Sequence, residues 1–103
     1  MQEKGEKMIV LNVTYKCKPS KRAEYLHSIH KEGIDESSRA EEGCLKYEYY
    51  NSTTDDDELL LIEKWKDDEA IDVHKNSEHF KRLGELKTEY VIETIIEKFI
   101  TEE

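Results

Sequence analysis

His74 is the side chain of this 103-residue chain best suited to move a proton. Its reference pKa of about 6.5 lets a neutral imidazole accept a proton near neutral pH. The residue sits near the end of a short predicted helix. There the cationic form of a histidine is mildly stabilised, so a structural role stands beside the catalytic one. Truncation of a residue in that position is expected to cost about 1 kcal/mol. Asn12 is a polar residue inside a predicted strand, and a pocket-facing Asn could hold a substrate oxygen or O2. Glu63 and Trp65 share one strand face with Leu59 and Leu61. Trp65 suits an aromatic wall for a flat ligand, though a core or dimer-interface position is its plainer role. Glu63 is a charge among apolar neighbours; such a group is paired, or its pKa rises. A salt bridge or hydrogen bond that holds the fold is its plainer role. Tyr47 and Tyr49 share a face, and at least one is expected at a pocket or interface. His79, in the first turn of the next helix, packs or caps there, or reaches a substrate.

Other groups carry less. His27 and His30 lie three apart with Glu24 nearby, but a metal site usually needs a third or fourth convergent ligand, so a solvated helix face is expected. Asp55-Asp56-Asp57-Glu58 lacks the alternation and the glycine of a calcium loop and reads as a solvated turn. No metal site is expected. Cys17 and Cys44 form no CxxC pair and have no adjacent base, which suits reduced cytosolic thiols.

These residues need a frame. Met8–Cys17 alternates, with Ile9, Leu11, Val13 and Tyr15 on one face, and reads as a strand. Lys18-Pro19-Ser20 stops it, with Ser20 as a helix N-cap. Residues 21–40 read as one helix with Leu26, Ile29, Gly33, Ser37 and Ala40 on its apolar stripe; Gly33 marks close backbone packing or a local break. Gly43 supplies a left-handed cap. Residues 44–51 and 59–66 form a hairpin. Asp67 and Asp68 start a short helix through Lys75, and Ser77 caps another that carries Phe80, Leu83 and Leu86. The last segment, Val91–Thr101, fits a helical stripe, but its β-branched residues favour a strand.

The order β-α-β-β-α-α-β predicts a ferredoxin-like α+β domain over residues 8–103, behind a polar tail over residues 1–7. Only 36% of residues are hydrophobic and 40% are charged. The core is thin, and a second copy packed on the free sheet face is the simplest cover. The net charge of −9 makes nucleic acid and anionic membrane surfaces poor partners. The segment MQEKGEK lacks the apolar stretch of a signal peptide, so a cytoplasmic protein is expected.

Two runs resemble a known family. Glu41-Glu42-Gly43-Cys44-Leu45-Lys46-Tyr47 resembles its "E-x-G-C-L-x-Y" segment. Glu63, Trp65, Ala70, His74, Ser77, His79 and Phe80 fall on its "E-x-W-x-x-x-x-A-x-x-x-H-x-x-S-x-H-F" signature. The family is the antibiotic-biosynthesis monooxygenase domain, in particular its small quinol-monooxygenase-like members. The resemblance implies a homodimer whose sheets close an α+β barrel, with a pocket between sheet and helices in each subunit. It implies oxidation of a small electron-rich aromatic, such as a hydroquinone or anthrone, by O2 without metal, flavin or haem. His74 would then take a phenolic proton. Haem-degrading relatives carry an Asn in their first strand, which brings Asn12 forward. Their iron ligand aligns with Gly84, and glycine cannot ligate iron, so no haem is expected. Other activities on the same scaffold remain open: a non-oxidative isomerase, or a dimeric binding or stress-response protein without turnover.

Overall fold

A computed structural model describes residues 7–102. The elements are β1 (Lys7–Cys17), α1 (Arg22–Lys31), α2 (Ile34–Arg39), β2 (Cys44–Asn51), β3 (Glu58–Trp65), α3 (Asp68–Lys75), α4 (Glu78–Tyr90) and β4 (Val91–Glu102). They build the expected ferredoxin-like α+β fold, an antiparallel sheet in the order β2-β3-β1-β4. The expected polar tail lies outside the described residues except for Lys7, which opens β1.

Alternation decides which face is covered. Ile9, Val13 and Tyr15 of β1 stand opposite Trp65, Leu61 and Leu59 of β3, and all six are buried. All but Ile9 pack into one core with Tyr25 and Ile29 of α1, Ile34 of α2, and Leu83 and Leu86 of α4. The outer face holds Val10, Leu60 and Ile62 with Ile95 and Phe99 of β4, and nothing among the described residues covers it fully: Phe99 stays 47% exposed. The last segment is a strand because the β1 edge offers its β-branched residues a full ladder.

The long helix is two helices. Gly33 takes φ +70°, a left-handed conformation that breaks α1 from α2, and a Cβ there would meet nothing within 4 Å. Conformation, not close packing, is the need at Gly33. The break shifts the buried stripe to Ile34, Asp35 and Ser38, leaving Ser37 and Ala40 exposed. Ser20 is not the N-cap; Lys21 is, without a side-chain cap, while the Ser20 N–H donates to Asp57 Oδ1 at 2.9 Å. Gly43, in contrast to Gly33, has no left-handed φ. Its need is room: a Cβ on Gly43 would lie 2.3 Å from Ala70 Cβ. That close approach seats α3 against the turn before β2. Asp67 caps α3 through the Ala70 N–H, and Ser77 caps α4 through the Phe80 N–H. Among the described residues no helix is long and apolar enough to cross a membrane.

Candidate functional site

Between the inner face of the sheet and α3–α4 lies a cavity of about 230 Å³, walled by Leu11, Val13, Ile71, Phe80 and Ile96. A smaller lobe of about 100 Å³ shares Val13, Phe80 and Ile96 and reaches Gly84. Two ionisable side chains line both lobes, Glu63 and His74. Lys75 and Lys98 line the larger lobe, and Lys87 the smaller.

Strand alternation turns Glu63 inward between Leu61 and Trp65, where it is only 7% exposed. No cation pairs with it among the described residues, so of the two contacts expected to hold it, a salt bridge or a hydrogen bond, it makes the second. Trp65 Nε1–H donates to Glu63 Oε1 at 2.8 Å instead. Burial drives the Glu63 pKa up to about 7; the Trp65 bond opposes the rise, and the Glu41 carboxylate adds to it. The other half of the sequence reading, a raised pKa, is what the fold produces.

His74 is 3% exposed, far more deeply set than a helix-end residue need be. Its ring packs against Trp65 at 4.8 Å, Phe80 at 5.2 Å and Tyr47 at 5.7 Å between centroids. Nδ1 lies 2.7 Å from Glu41 Oε2. A carboxylate oxygen only accepts, so Nδ1 carries the hydrogen and Nε2 is left as the acceptor. Burial lowers the His74 pKa, with Glu41 opposing, which favours the neutral ring. His79 Nε2 lies 2.6 Å from the same Glu41 oxygen, while Glu41 Oε1 is buried without a hydrogen-bond partner among the described residues.

The fold therefore gathers His74, Glu63, Trp65, Tyr47 and His79 around one centre. Tyr49 joins through Tyr47, ring centroids 5.9 Å apart. Asn12 does not join. It pairs with Ile62 and Glu97 on the outer face, on the other side of the sheet from His74. A single residue of register decides this, since strand neighbours point to opposite faces. His30 pairs with Asp35 rather than with a metal-ligating partner. Glu41 was missed by sequence reasoning. Its one signal was its place in the "E-x-G-C-L-x-Y" segment, since 33 residues separate it from the histidine it orients.

The family model described as "Antibiotic biosynthesis monooxygenase" matches residues 8–86. The chain is 36% identical over 74 residues to the Bacillus subtilis protein called "Putative monooxygenase YcnE", covering 72% of this chain and 76% of that one. The crystal structure of PA3566 from Pseudomonas aeruginosa matches with a TM-score of 0.80 at 30% identity, over 91% of this chain and 93% of that one. The structure of SO0527 from Shewanella oneidensis shares the fold, with a TM-score of 0.85 at 20% identity over 97% and 96% of the two chains.

Proposed function

The chain belongs to the antibiotic biosynthesis monooxygenase family, and on that premise we propose that it oxidises a small, electron-rich, quinol-like aromatic with O2 and without a cofactor. The observation that carries this reading is the pairing of a cation-free buried carboxyl, Glu63, with an oriented neutral imidazole, His74, in a largely apolar cavity.

The chemistry needs the substrate itself to supply electrons, which it does once deprotonated. His74 Nε2 takes the phenolic proton, and the Glu41 carboxylate at Nδ1 stabilises the imidazolium that forms. Glu63, titrating near pH 7, offers its protonated form as a hydrogen-bond donor to the oxygen that gains charge. A bound ring would displace water from the apolar walls it covers. For a hydroquinone the balance closes without an outside reductant. One ring C–H becomes C–O, the ring leaves as a hydroxyquinone, and the second oxygen atom leaves as water. The substrate supplies all four electrons.

The lysines give one specific ground for a second reading, an anionic ligand handled by a non-oxidative isomerase. Lys98 is paired with Asp68 and Lys87 lies over the Tyr15 ring, so neither favours that reading over the first.

The same proposal pairs two copies through the outer sheet face, where Val10, Ile95 and Phe99 would be covered. It sets the protein in the cytoplasm, where the free thiols of Cys17 and Cys44 stay reduced. The test is oxygen uptake by purified, metal-stripped protein with a panel of hydroquinones and naphthols. Uptake that catalase leaves unchanged supports monooxygenation. Uptake half-returned by catalase means hydrogen peroxide is the product and overturns it, as does no uptake at all.

A further inference from the structure

We infer that Glu41, His74 and His79 form a binding site for one divalent transition-metal ion of the zinc class, at the Nδ1 edge of His74. Such a site goes beyond the oxidation proposed above and does not depend on it.

The donor set is the first ground. Two imidazole nitrogens and one carboxylate oxygen lie within 4.8 Å of one another, a set that suits zinc and its first-row neighbours. Zinc–ligand bonds of about 2.0–2.1 Å at tetrahedral angles put donors about 3.3–3.4 Å apart. The two contacts to Glu41 Oε2, at 2.7 and 2.6 Å, would open by well under an ångström, and the two nitrogens would draw together. Side-chain torsions supply movements of that size.

The second ground is the unused oxygen. Glu41 is nearly buried, yet its Oε1 has no partner among the described residues. A buried carboxylate oxygen left unpaired is costly. A cation held by one carboxylate oxygen neutralises the whole group, and one held by both satisfies Oε1 directly. A bound water at the fourth position would do the same.

The third ground is access. Glu41 also lines a surface cleft of about 420 Å³ whose walls carry Glu42, Asp67, Glu69 and Asp72 against the single cation Lys66. An acidic mouth raises the local concentration of divalent cations. The donors come from three separate elements: the turn before β2, α3 and α4. The junction between the two helices is already tied, because Ser77, the N-cap of α4, donates its Oγ–H to the His74 carbonyl at 2.6 Å. Metal binding would therefore clamp the turn and both helices. It would also move the His74 proton to Nε2, so a loaded site removes that nitrogen as an acceptor.

The test is titration of the metal-stripped full chain with Co2+ as a visible probe, followed by Zn2+. The expected result is ligand-field absorption of a four-coordinate site that saturates at one equivalent per chain and is displaced by Zn2+. Calorimetry should give one Zn2+ per chain, and the melting temperature should rise with Zn2+ concentration. His79→Gln and Glu41→Gln should each abolish the saturable step, whereas His30→Gln and Asp72→Asn should retain it. The wild-type arm alone can overturn the inference, through absence of saturable binding. Binding that survives in both His79→Gln and Glu41→Gln, or that disappears in His30→Gln, overturns it equally.

Discussion

The part of the core built with α1 and α2 is closed, and the part between α3, α4 and β4 is open. In the first, Tyr25, Ile29, Ile34 and Leu59 are at most 1% exposed, and Tyr15 meets Tyr25 edge-on at 5.3 Å. Its charged and side-chain polar groups near α2 are paired: Ser38 Oγ–H donates to the Ile34 carbonyl at 2.8 Å, and Asp35 accepts from Arg39, while the Tyr25 hydroxyl is buried without a partner among the described residues. In the second, Ile96 remains 62% exposed above a cavity, and Glu63 is buried without a cation. The contrast locates where this fold tolerates strain. An unpaired carboxyl is destabilising in a closed core, yet beside a cavity it is the group that a ligand can use. Stability is concentrated at one end and reactivity at the other.

This division is most exposed to refutation at His74. As the proton acceptor, its loss in His74→Ala should slow quinol-dependent oxygen uptake by about 10²–10⁴-fold. The wild-type rate should fall as pH drops through the imidazole pKa, because an imidazolium cannot accept the phenolic proton. The structure also corrects the modest stability cost expected from sequence. A ring buried among Trp65, Phe80 and Tyr47, with a hydrogen bond to Glu41, should cost about 2–4 kcal/mol on truncation. His74→Gln, which retains a polar side chain, separates the two effects. Wild-type turnover in a folded His74→Gln would remove His74 as the base.

Chemical denaturation of two leucine-class truncations tests the closed and open ends directly. Leu59→Ala, in the closed core, should lose about 2–5 kcal/mol. Ile96→Ala, on the open rim, should lose no more than about 1 kcal/mol. Equal losses would mean that the rim is packed in solution and that the open end is not open.

Glu63 distinguishes the two ends through pH. Its folded pKa of about 7 lies above the ordinary value of 4.5, so the folded state holds the proton more tightly than the unfolded one. The stability this gives is fully present below about 4.5 and is lost as pH rises through 7. The difference between these values corresponds to roughly 3 kcal/mol. Glu63→Gln should therefore be more stable than wild type at pH 8, with the gap closing toward pH 5. His74, shifted downward by burial, is common to both proteins and cancels in the difference. A gap that does not change with pH would mean that Glu63 finds a cation partner in solution.

The frame was legible in the sequence because it follows from period and punctuation. Alternation marked β1 and β3, while Asp67 and Ser77 marked the starts of α3 and α4. The β-branched run after Tyr90 resolved as β4 because β1 offered it an edge. What the sequence hid depends on backbone angle or on contact between distant residues. Gly33 took the local break, one of its two expected roles, while Gly43, expected as a left-handed cap, is needed for room instead, since neither a positive φ nor a neighbouring Cβ is visible in a string of letters. The break at Gly33 then moved the α2 stripe by one residue. Glu63 and Trp65 were readable as a pair because they share a strand face. The Glu41–His74–His79 centre was not, because it joins a turn to two helices across more than thirty residues of chain. Asn12 failed as a partner of His74 because its neighbours in β1, not its chemistry, fix the face it points to.

Two glycines, one packed closely against α3 and one in α4 with open space around it, should give the most modest changes. Gly43→Ala places a methyl 2.3 Å from Ala70 Cβ, so α3 or the turn must shift, at a cost of about 1–3 kcal/mol. Gly84 lies mid-helix in α4, beside the smaller lobe of the cavity, and a Cβ added there would meet nothing within 4 Å. Gly84→Ala should stabilise the protein by up to about 1 kcal/mol, because alanine loses less backbone entropy in a helix. The same methyl sits at the cavity edge, so a substrate that fills the smaller lobe should show a raised KM with little change in kcat. Thermal melts and steady-state kinetics on Gly84→Ala read both. A stabilised variant with unchanged KM would confine the substrate to the larger lobe, against Ile71 and Lys98. A destabilised variant would mean that the open end of the core packs more tightly than its exposed Ile96 indicates, and the contrast between the two ends would fail at the point where it is easiest to measure.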